Sequence, residues 1–263
     1  MQLSRNITEL KKSIKKNKYI DLVNPRLEYP KVKFLIYTRG RTGSTVLTEL
    51  LNCHPDIFCD VEIFNFLYSG SKVKFPEMYI KSCSKRAAKH GKSVYGFKVK
   101  IAQLRIEHEY KNYDKILLKL HEEGWKFIHL KRKNHLKHKL SNILASETNI
   151  YHIRGNDSEN GKKVNVDCDL LMASIKYSEE IETTEETNLR TIPHLKIIYE
   201  DDISESSKHQ ETANKVFRFL GLKEHKVKTE YKKVLPQDLK KILNNYDEVY
   251  NYFKGTKYSE FLK

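Results

Sequence analysis

The chain has 263 residues, enough for one α/β domain with a substantial core. It carries 49 lysine and arginine residues against 34 aspartate and glutamate residues, a formal net charge of +15, which is typical of chains that bind nucleic acid, an acidic surface or a polyanionic small ligand. The four cysteines have neither C-x-x-C spacing nor a zinc-type pairing with histidine, and no apolar stretch approaches the ~20 residues that cross a membrane. The segment before residue 19 lacks the apolar core of a signal peptide. We therefore expect free thiols, no metal site and a soluble, cytoplasmic protein.

The first residues of the chain differ in character from the rest. Basic side chains concentrate near the N-terminus, and the pairs Asn24-Pro25 and Tyr29-Pro30 interrupt any regular element there. These features predict a basic N-terminal extension over residues 1–30 and a single domain over residues 31–263.

A glycine-containing turn stands near the start of that domain. Residues 33–38 are apolar and β-prone and predict a buried strand, whereas apolar residues from 46 to 51 recur at helical spacing. A turn between a strand and a helix directs backbone N–H groups and the helix N-terminus at one anion. The turn is Arg39-Gly40-Arg41-Thr42-Gly43-Ser44-Thr45. Its glycines allow close approach of the backbone, Arg41 adds a positive charge, and two hydroxyls add donors, so the pattern predicts a phosphate-type site.

Strand and helix patterns alternate through the remainder of the chain. Further strands are predicted at residues 94–99, 125–130 and 194–199. Helices are predicted at residues 113–121, 134–146, 169–191, 212–220 and 236–253, the third of them capped by Asp167 or Asp169. This alternation predicts an α/β fold with a mostly parallel central sheet flanked by helices, and a ligand at the carboxyl ends of the strands.

The turn differs from the loop of nucleoside triphosphatases. Such loops read G-x-x-x-x-G-K-[ST], whereas here Ser44 follows Gly43 directly and the cation, Arg41, precedes the glycine by two residues. A nucleotide kinase-like enzyme therefore remains an alternative that lacks both this lysine and a clear magnesium aspartate.

The same residues resemble another family. Gly40-Arg41-Thr42-Gly43-Ser44-Thr45, followed by Leu50-Leu51-Asn52 and His54-Pro55, is similar to sulfotransferases that use 3′-phosphoadenosine 5′-phosphosulfate (PAPS), especially bacterial carbohydrate sulfotransferases of the nodulation-factor and trehalose type. The resemblance implies a three-layer fold like that of P-loop NTPases, with residues 39–45 binding the 5′-phosphosulfate. It also implies PAPS as donor, no metal, and transfer to a hydroxyl of a carbohydrate or glycolipid. Insertions near residues 65–93 and 150–193 would bind the acceptor.

A basic run follows the third predicted strand. In the family that the chain resembles, a strand-end arginine and a serine on the next helix hold the ribose 3′-phosphate, because arginine grips phosphate bidentately and a hydroxyl adds a donor. Arg132 with Ser141 fits this pattern, and Lys133 is the alternative anchor. The structural alternative is a basic helix start on the surface, although positive charge there opposes the helix dipole and so favours an anionic ligand.

A carboxylate follows the first helix at the position of the family's catalytic base. The resemblance implies that Glu62 takes the proton of the acceptor hydroxyl and that Arg41, the second catalytic residue, holds the charge of the sulfuryl group. A salt bridge from Glu62 to Arg39 or Arg41 would instead give Glu62 a structural role. Lys98 or Lys100 is predicted either to face the active site or to lie on a solvated strand edge.

The positive charge also supports a function without catalysis. A polyanion-binding or nucleic-acid-binding protein would show steeply salt-dependent affinity for DNA or RNA. The sequence contains no groove-reading or base-stacking motif, so we expect no specific nucleic acid partner.

Overall fold

The computed structural model describes residues 19–151, 153–154, 163–232 and 238–262. Within these residues, a five-stranded parallel sheet has the order β2-β3-β1-β4-β6. Its strands are β1 (Val32–Thr38), β2 (Ile57–Glu62), β3 (Val94–Lys100), β4 (Lys126–Lys131) and β6 (His194–Ile198), while β5 (Ile153–Arg154) pairs antiparallel with β7 (Tyr231–Lys232). The predicted α/β fold is confirmed, and so are the four predicted strands.

Helices cover both faces of the sheet. They are α1 (Ser44–Asn52), α2 (Phe66–Ser69), α3 (Pro76–Ser84), α4 (Arg86–Lys89), α5 (Tyr113–Glu122), α6 (His135–Thr148), α7 (Cys168–Leu189), α8 (His209–Leu220) and α9 (Tyr246–Phe253). Successive side chains of a strand point to opposite faces. Leu35 and Tyr37 of β1 therefore join a core with α3 and α5, whereas Phe34 and Ile36 join a second core with α1 and α8. The result is three layers, as expected for burial of a parallel sheet.

The helix ends follow ordinary capping chemistry. The side chain of Asn134 accepts a hydrogen bond from the Lys137 amide and begins α6, and Asp167 accepts from the Leu170 amide and begins α7. Of the two predicted caps for α7, Asp167 is therefore the one that acts.

Two parts of the chain differ from the sequence-based elements. β2 was missed because its polar end, Asp60 to Glu62, hides the strand pattern, and α2 to α4 lie in the range predicted only as an insertion. The helix predicted for 236–253 is wrong in its first half, of which residues 236–237 lie outside the described residues. A 3₁₀ turn at Leu239–Lys241 precedes a bridge between Val164 and Leu243, because burial of Leu239, Ile242 and Leu243 against α6 and α7 outweighs helix continuation. The helix itself starts only at Tyr246.

The sheet places the ends of its strands along one edge. Thr38, Glu62, Lys100, Lys131 and Ile198 end the five parallel strands, so the segments that follow them meet at this edge. Ligands of open parallel sheets bind there. Among the described residues, no helix has both the length and the apolar character needed to cross a membrane.

Candidate active site

The loop between β1 and α1 has a tightly determined backbone. Gly43 has φ +81°, and a Cβ at this position would come within 2.8 Å of the Tyr199 ring, so only glycine fits. Arg41 also has positive φ, at 62°, a conformation that costs free energy in a non-glycine residue and is found at functional sites. The buried Thr42 hydroxyl donates to the Arg39 carbonyl at 2.9 Å, so this side chain holds the turn and the residue's contribution to a ligand is its backbone.

The start of α1 is suited to an anion. Gly43 is the N-cap residue, no side chain caps the helix, and its first turn contains no acidic residue. The first amides of a helix have no partner within the helix and carry partial positive charge. Ser44 and Thr45 stand at this end, so the loop has the donors that the sequence predicted.

Two arginines and a serine from three elements meet beside the loop. The Arg41 Nε atom donates to the Ser141 hydroxyl at 3.1 Å, and the same guanidinium contacts the Tyr151 carbonyl. Arg132 Nη1 donates to the Arg41 carbonyl at 3.1 Å, and its guanidinium lies over the Tyr199 ring at 4.5 Å. The structure therefore brings the residues predicted for the two ends of a nucleotide into contact.

The Arg132 side chain is buried, and that of Arg41 is partly buried beside it. Burial lowers the pKa of Arg132, and burial followed by the charge of Arg132 lowers the pKa of Arg41. Both shifts show that positive charge is destabilised here. An anion placed between the two arginines would relieve this cost.

Lys133 lies differently from Arg132. Its ammonium is half exposed and contacts Asp201, whereas Arg132 is buried and pairs with Glu200 at 3.2 Å. Glu200 also accepts the backbone N–H groups of Lys133 and Asn134. The protein itself thus supplies a carboxylate at the start of α6, so part of the positive charge there is balanced without a ligand, and the predicted anion at this helix start stays a prediction.

Glu62 lies among donors from the neighbouring strand. Its Oε2 atom is 2.7 Å from Lys100 Nζ and accepts from Gln103 Nε2 at 2.8 Å, while Oε1 has Lys98 Nζ at 4.0 Å. The salt bridge expected as an alternative, to Arg39 or Arg41, is replaced by these lysines. Oε1 is therefore the less engaged oxygen of the carboxylate.

Lys98 connects Glu62 with the loop. The side chain is buried, its Nζ atom lies 3.4 Å from the Thr45 hydroxyl, and burial lowers its pKa. Of the two alternatives left by the sequence, the site-facing one is correct for Lys98, because β3 is a central strand flanked by β1 and β2.

Asp60 is separated from Glu62 although it stands two residues earlier. The register of β2 against β3 shifts between Cys59 and Glu62, so the two carboxylates do not share a face as they would in a regular strand. Asp60 instead accepts from Tyr68 and Tyr95 and pairs with Arg86 at 2.8 Å. This cluster anchors α2 and α4 to the strand that carries Glu62.

The Arg39 side chain points away from the loop. Its guanidinium donates to Ser178 and lies 3.3 Å from Glu182 and 3.2 Å from Glu185, all on α7. The sequence predicted that Arg39 binds the sulfate donor. The guanidinium contacts α7, and it is the backbone of Arg39 that adjoins the loop. Its charge is used to hold β1 against α7.

Glu182 makes this network sensitive to acid. Burial alone would raise the pKa of this carboxyl, but hydrogen bonds from His135 and Lys131 and the charges of Lys131 and Arg39 outweigh it and lower the pKa from 4.5 to about 2. A depressed carboxyl pKa stabilises the fold above its ordinary value and loses that contribution as the pH falls. We expect the melting temperature to fall between pH 4.5 and about 2 more steeply in the wild type than in Glu182→Gln, as measured by calorimetry.

A cavity of about 240 Å³ adjoins the loop on the side of α6 and α7. Lys100, which pairs with Glu62, forms part of its wall, and Gly40 lies beside the Lys100 ammonium. His138 of α6 also lines it and shares a 2.6 Å hydrogen bond with the Gly40 carbonyl. The cavity is placed to receive a second molecule beside whatever binds the loop.

The sequence assigned no role to two residues of this site, Gln103 and His138. Gln103 holds both Glu62 and the Lys100 amide, and His138 holds the loop carbonyl. One signal for His138 was available, since it stands three residues before Ser141 and thus on the same face of α6. Within the insertion near residues 150–193 that was predicted to bind the acceptor, residues 152 and 155–162 lie outside the described residues.

The fold and the site together define a parallel α/β protein with a loop suited to an anion at the carboxyl edge of its sheet. No protein-family model matches the sequence, and no curated protein matches it. Among solved structures, the chain is similar to the sulfotransferase domain of the olefin synthase from Synechococcus PCC 7002, at 14% identity over 75% of this chain and 76% of that chain, with a TM-score of 0.39.

Proposed function

We propose that the protein is a sulfotransferase that moves a sulfuryl group from PAPS to a hydroxyl group of an acceptor. The observation that carries the proposal is the meeting of Arg41, Arg132 and Ser141 beside an uncapped helix start, with Glu62 and Lys98 at its other side. A nucleotide with a 3′-phosphate and a 5′-phosphosulfate needs cationic groups for both anions, and Arg41, Arg132 and Lys98 can supply them.

The donor would replace contacts that the side chains now make with one another. The 5′-phosphosulfate would accept hydrogen bonds from the amides of residues 42–45 and from Lys98. The 3′-phosphate would bind Arg132 and Ser141. The Arg41 guanidinium, now bonded to Ser141, would be free to bind either anion. A negative ligand between Arg41 and Arg132 would offset the repulsion between these two arginines.

The chemistry would use charge and position, as in phosphoryl transfer. The acceptor oxygen forms a bond to sulfur while the bond between sulfur and the 5′-phosphate oxygen breaks, giving a sulfate ester and 3′,5′-adenosine bisphosphate. Glu62 would accept the acceptor proton on Oε1, because Oε2 is held by Lys100 and Gln103. Lys98 and the loop amides would stabilise charge on the departing phosphate.

Binding of 3′,5′-adenosine bisphosphate tests the donor site. We expect Arg132→Met to weaken this binding by ~10-fold or more, since one charge-assisted contact to the 3′-phosphate is lost. Lys133→Met is the matched control, because it removes a neighbouring cation that is bound to Asp201, and it should change the affinity little. Isothermal titration calorimetry of the wild type and both variants gives the comparison.

The same titration separates the alternatives. Equal affinity for AMP and for 3′,5′-adenosine bisphosphate would contradict a 3′-phosphate site, and a magnesium-dependent preference for ATP would favour a kinase-like enzyme. Affinity for any DNA or RNA that falls steeply with salt would favour polyanion binding. If the bisphosphate binds, transfer of radiolabelled sulfate to a panel of alcohols follows, with carbohydrates and glycolipids included because of the resemblance in the loop.

A further inference from the structure

In the part of the chain that the structure describes, two cations of the cavity beside the loop lack a counterion. Arg105 lies on one wall, in the turn that follows β3, and Lys139 of α6 lies on another. Among the described residues neither has a carboxylate within ion-pair distance, and no aspartate or glutamate lines the cavity. Two other cations of the wall already have carboxylate partners. Arg39 pairs with Glu185 of α7, and Lys100 pairs with Glu62.

The environment of Lys139 makes its charge costly. Burial and then the charge of Arg39 lower the pKa of its ammonium. His138 beside it is no counterion, since an imidazole is neutral or positive, and burial lowers the pKa of this one well below 6.5. An anionic group in the cavity would stabilise the Lys139 ammonium.

The remaining wall is largely apolar. Ile101, Ile106 and Ile181 line the cavity together with Tyr177, and of these Ile106 and Tyr177 are more than half exposed. Exposed apolar side chains around a cavity fit a ligand with an apolar body. Arg105 is exposed and Lys139 is partly buried, so a neutral sugar would leave the Lys139 ammonium without an anionic partner. It would also place hydroxyl groups against isoleucine side chains, which is unfavourable.

We propose that this cavity receives the acceptor and selects an alcohol that has an apolar body and an anionic group. The hydroxyl would lie toward Gly40 and Lys100, next to Glu62, and the anionic group toward Lys139 and Arg105. This inference rests on the proposed function for the identity of the site as an acceptor site. The preference for anionic over neutral ligands that it predicts can be measured by binding, without turnover.

The test compares ligands that match in shape and differ in charge. The probes are 4-(hydroxymethyl)benzoate and 4-(hydroxymethyl)benzamide, with the corresponding cyclohexane pair, and binding is followed by NMR shifts of isoleucine methyl groups. We expect the carboxylates to bind the wild type ~10-fold or more tightly than the amides, as for a hydrogen bond to a charged partner. The shifts should include Ile101, Ile106 and Ile181.

Variants assign the preference to the two cations. Lys139→Met and Arg105→Met should each reduce it, Lys139→Arg should retain it, and Lys115→Met, which removes an exposed lysine of α5, should leave it unchanged. Equal binding of both members of each pair, absence of binding by every carboxylate, or an unchanged preference in both cavity variants would overturn the inference. Titration with 3′,5′-adenosine bisphosphate, performed without acceptor, reports separately on the proposed function.

Discussion

Glu62→Gln is expected to lower turnover by ~10²-fold or more, because glutamine keeps the shape of the side chain and cannot accept the acceptor proton. Binding of 3′,5′-adenosine bisphosphate should stay unchanged or become tighter. The carboxylate lies 2.7 Å from Lys100 and 4.0 Å from Lys98, so its removal leaves the site more positive. Steady-state transfer of labelled sulfate, measured together with calorimetric binding, tests both parts of this expectation.

A purely electrostatic role for Glu62 would give a different pattern. If Glu62 only holds the two lysines, its replacement would change the affinity for the donor more than it changes kcat, and the pH profile of kcat would keep its shape. If Glu62 is the base, the acidic limb of that profile should disappear in the glutamine variant. Glu107→Gln is the matched control, since Glu107 feels the charges of Lys100 and Glu62 without bonding to either among the described residues. Near-normal turnover of Glu62→Gln would remove this residue from the base role.

The fold was accessible from the sequence where the signals are local. The strands at 32–38, 94–100 and 126–131 are apolar and β-prone, and Asn134 and Asp167 are good helix caps next to periodic apolar residues. β2 was missed because Asp60 and Glu62 are polar and the strand is irregular between Cys59 and Glu62. Such an irregularity depends on the partner strand and on the Asp60 cluster, which a single segment does not reveal.

The residues of the candidate site also differ in how far the sequence could predict them, according to whether the signal is local. The loop residues are contiguous, and their spacing alone predicted the glycine turn and the helix that begins at Ser44. Arg132 and Ser141 needed the family resemblance, and the structure adds that they contact Arg41 from about a hundred residues away along the chain. The Arg39 side chain bonds to Ser178 of α7, which is 139 residues away along the chain. No local sequence pattern could therefore show that the guanidinium contacts α7 while the backbone of Arg39 adjoins the loop.

Arg39→Met is expected to lower the free energy of unfolding by ~3–5 kcal/mol, because removing one partner of a buried ion pair leaves the other charge unpaired. The side chain is 9% exposed and that of Glu185, 3.2 Å from it, is 1% exposed. After the substitution, Glu185 would keep only His129, at 3.7 Å, as a possible cationic neighbour among the described residues. Urea denaturation at neutral pH measures the loss. Arg218→Met is the control, because its ion pair with Glu224 is exposed and should contribute only ~0–1 kcal/mol.

A second replacement separates the charge effect from the packing effect. In Arg39→Met/Glu185→Gln the unpaired carboxylate is gone, so the double variant should regain part of the stability lost in Arg39→Met. A double variant less stable than Arg39→Met would contradict the ion-pair explanation.

The folded fraction of the double variant also tests whether Arg39 binds the sulfate donor, as the sequence predicted. If the guanidinium only holds β1 against α7, 3′,5′-adenosine bisphosphate should bind with an affinity close to that of the wild type. If it contacts the donor, affinity should fall as it does in Arg132→Met, even where the variant is fully folded.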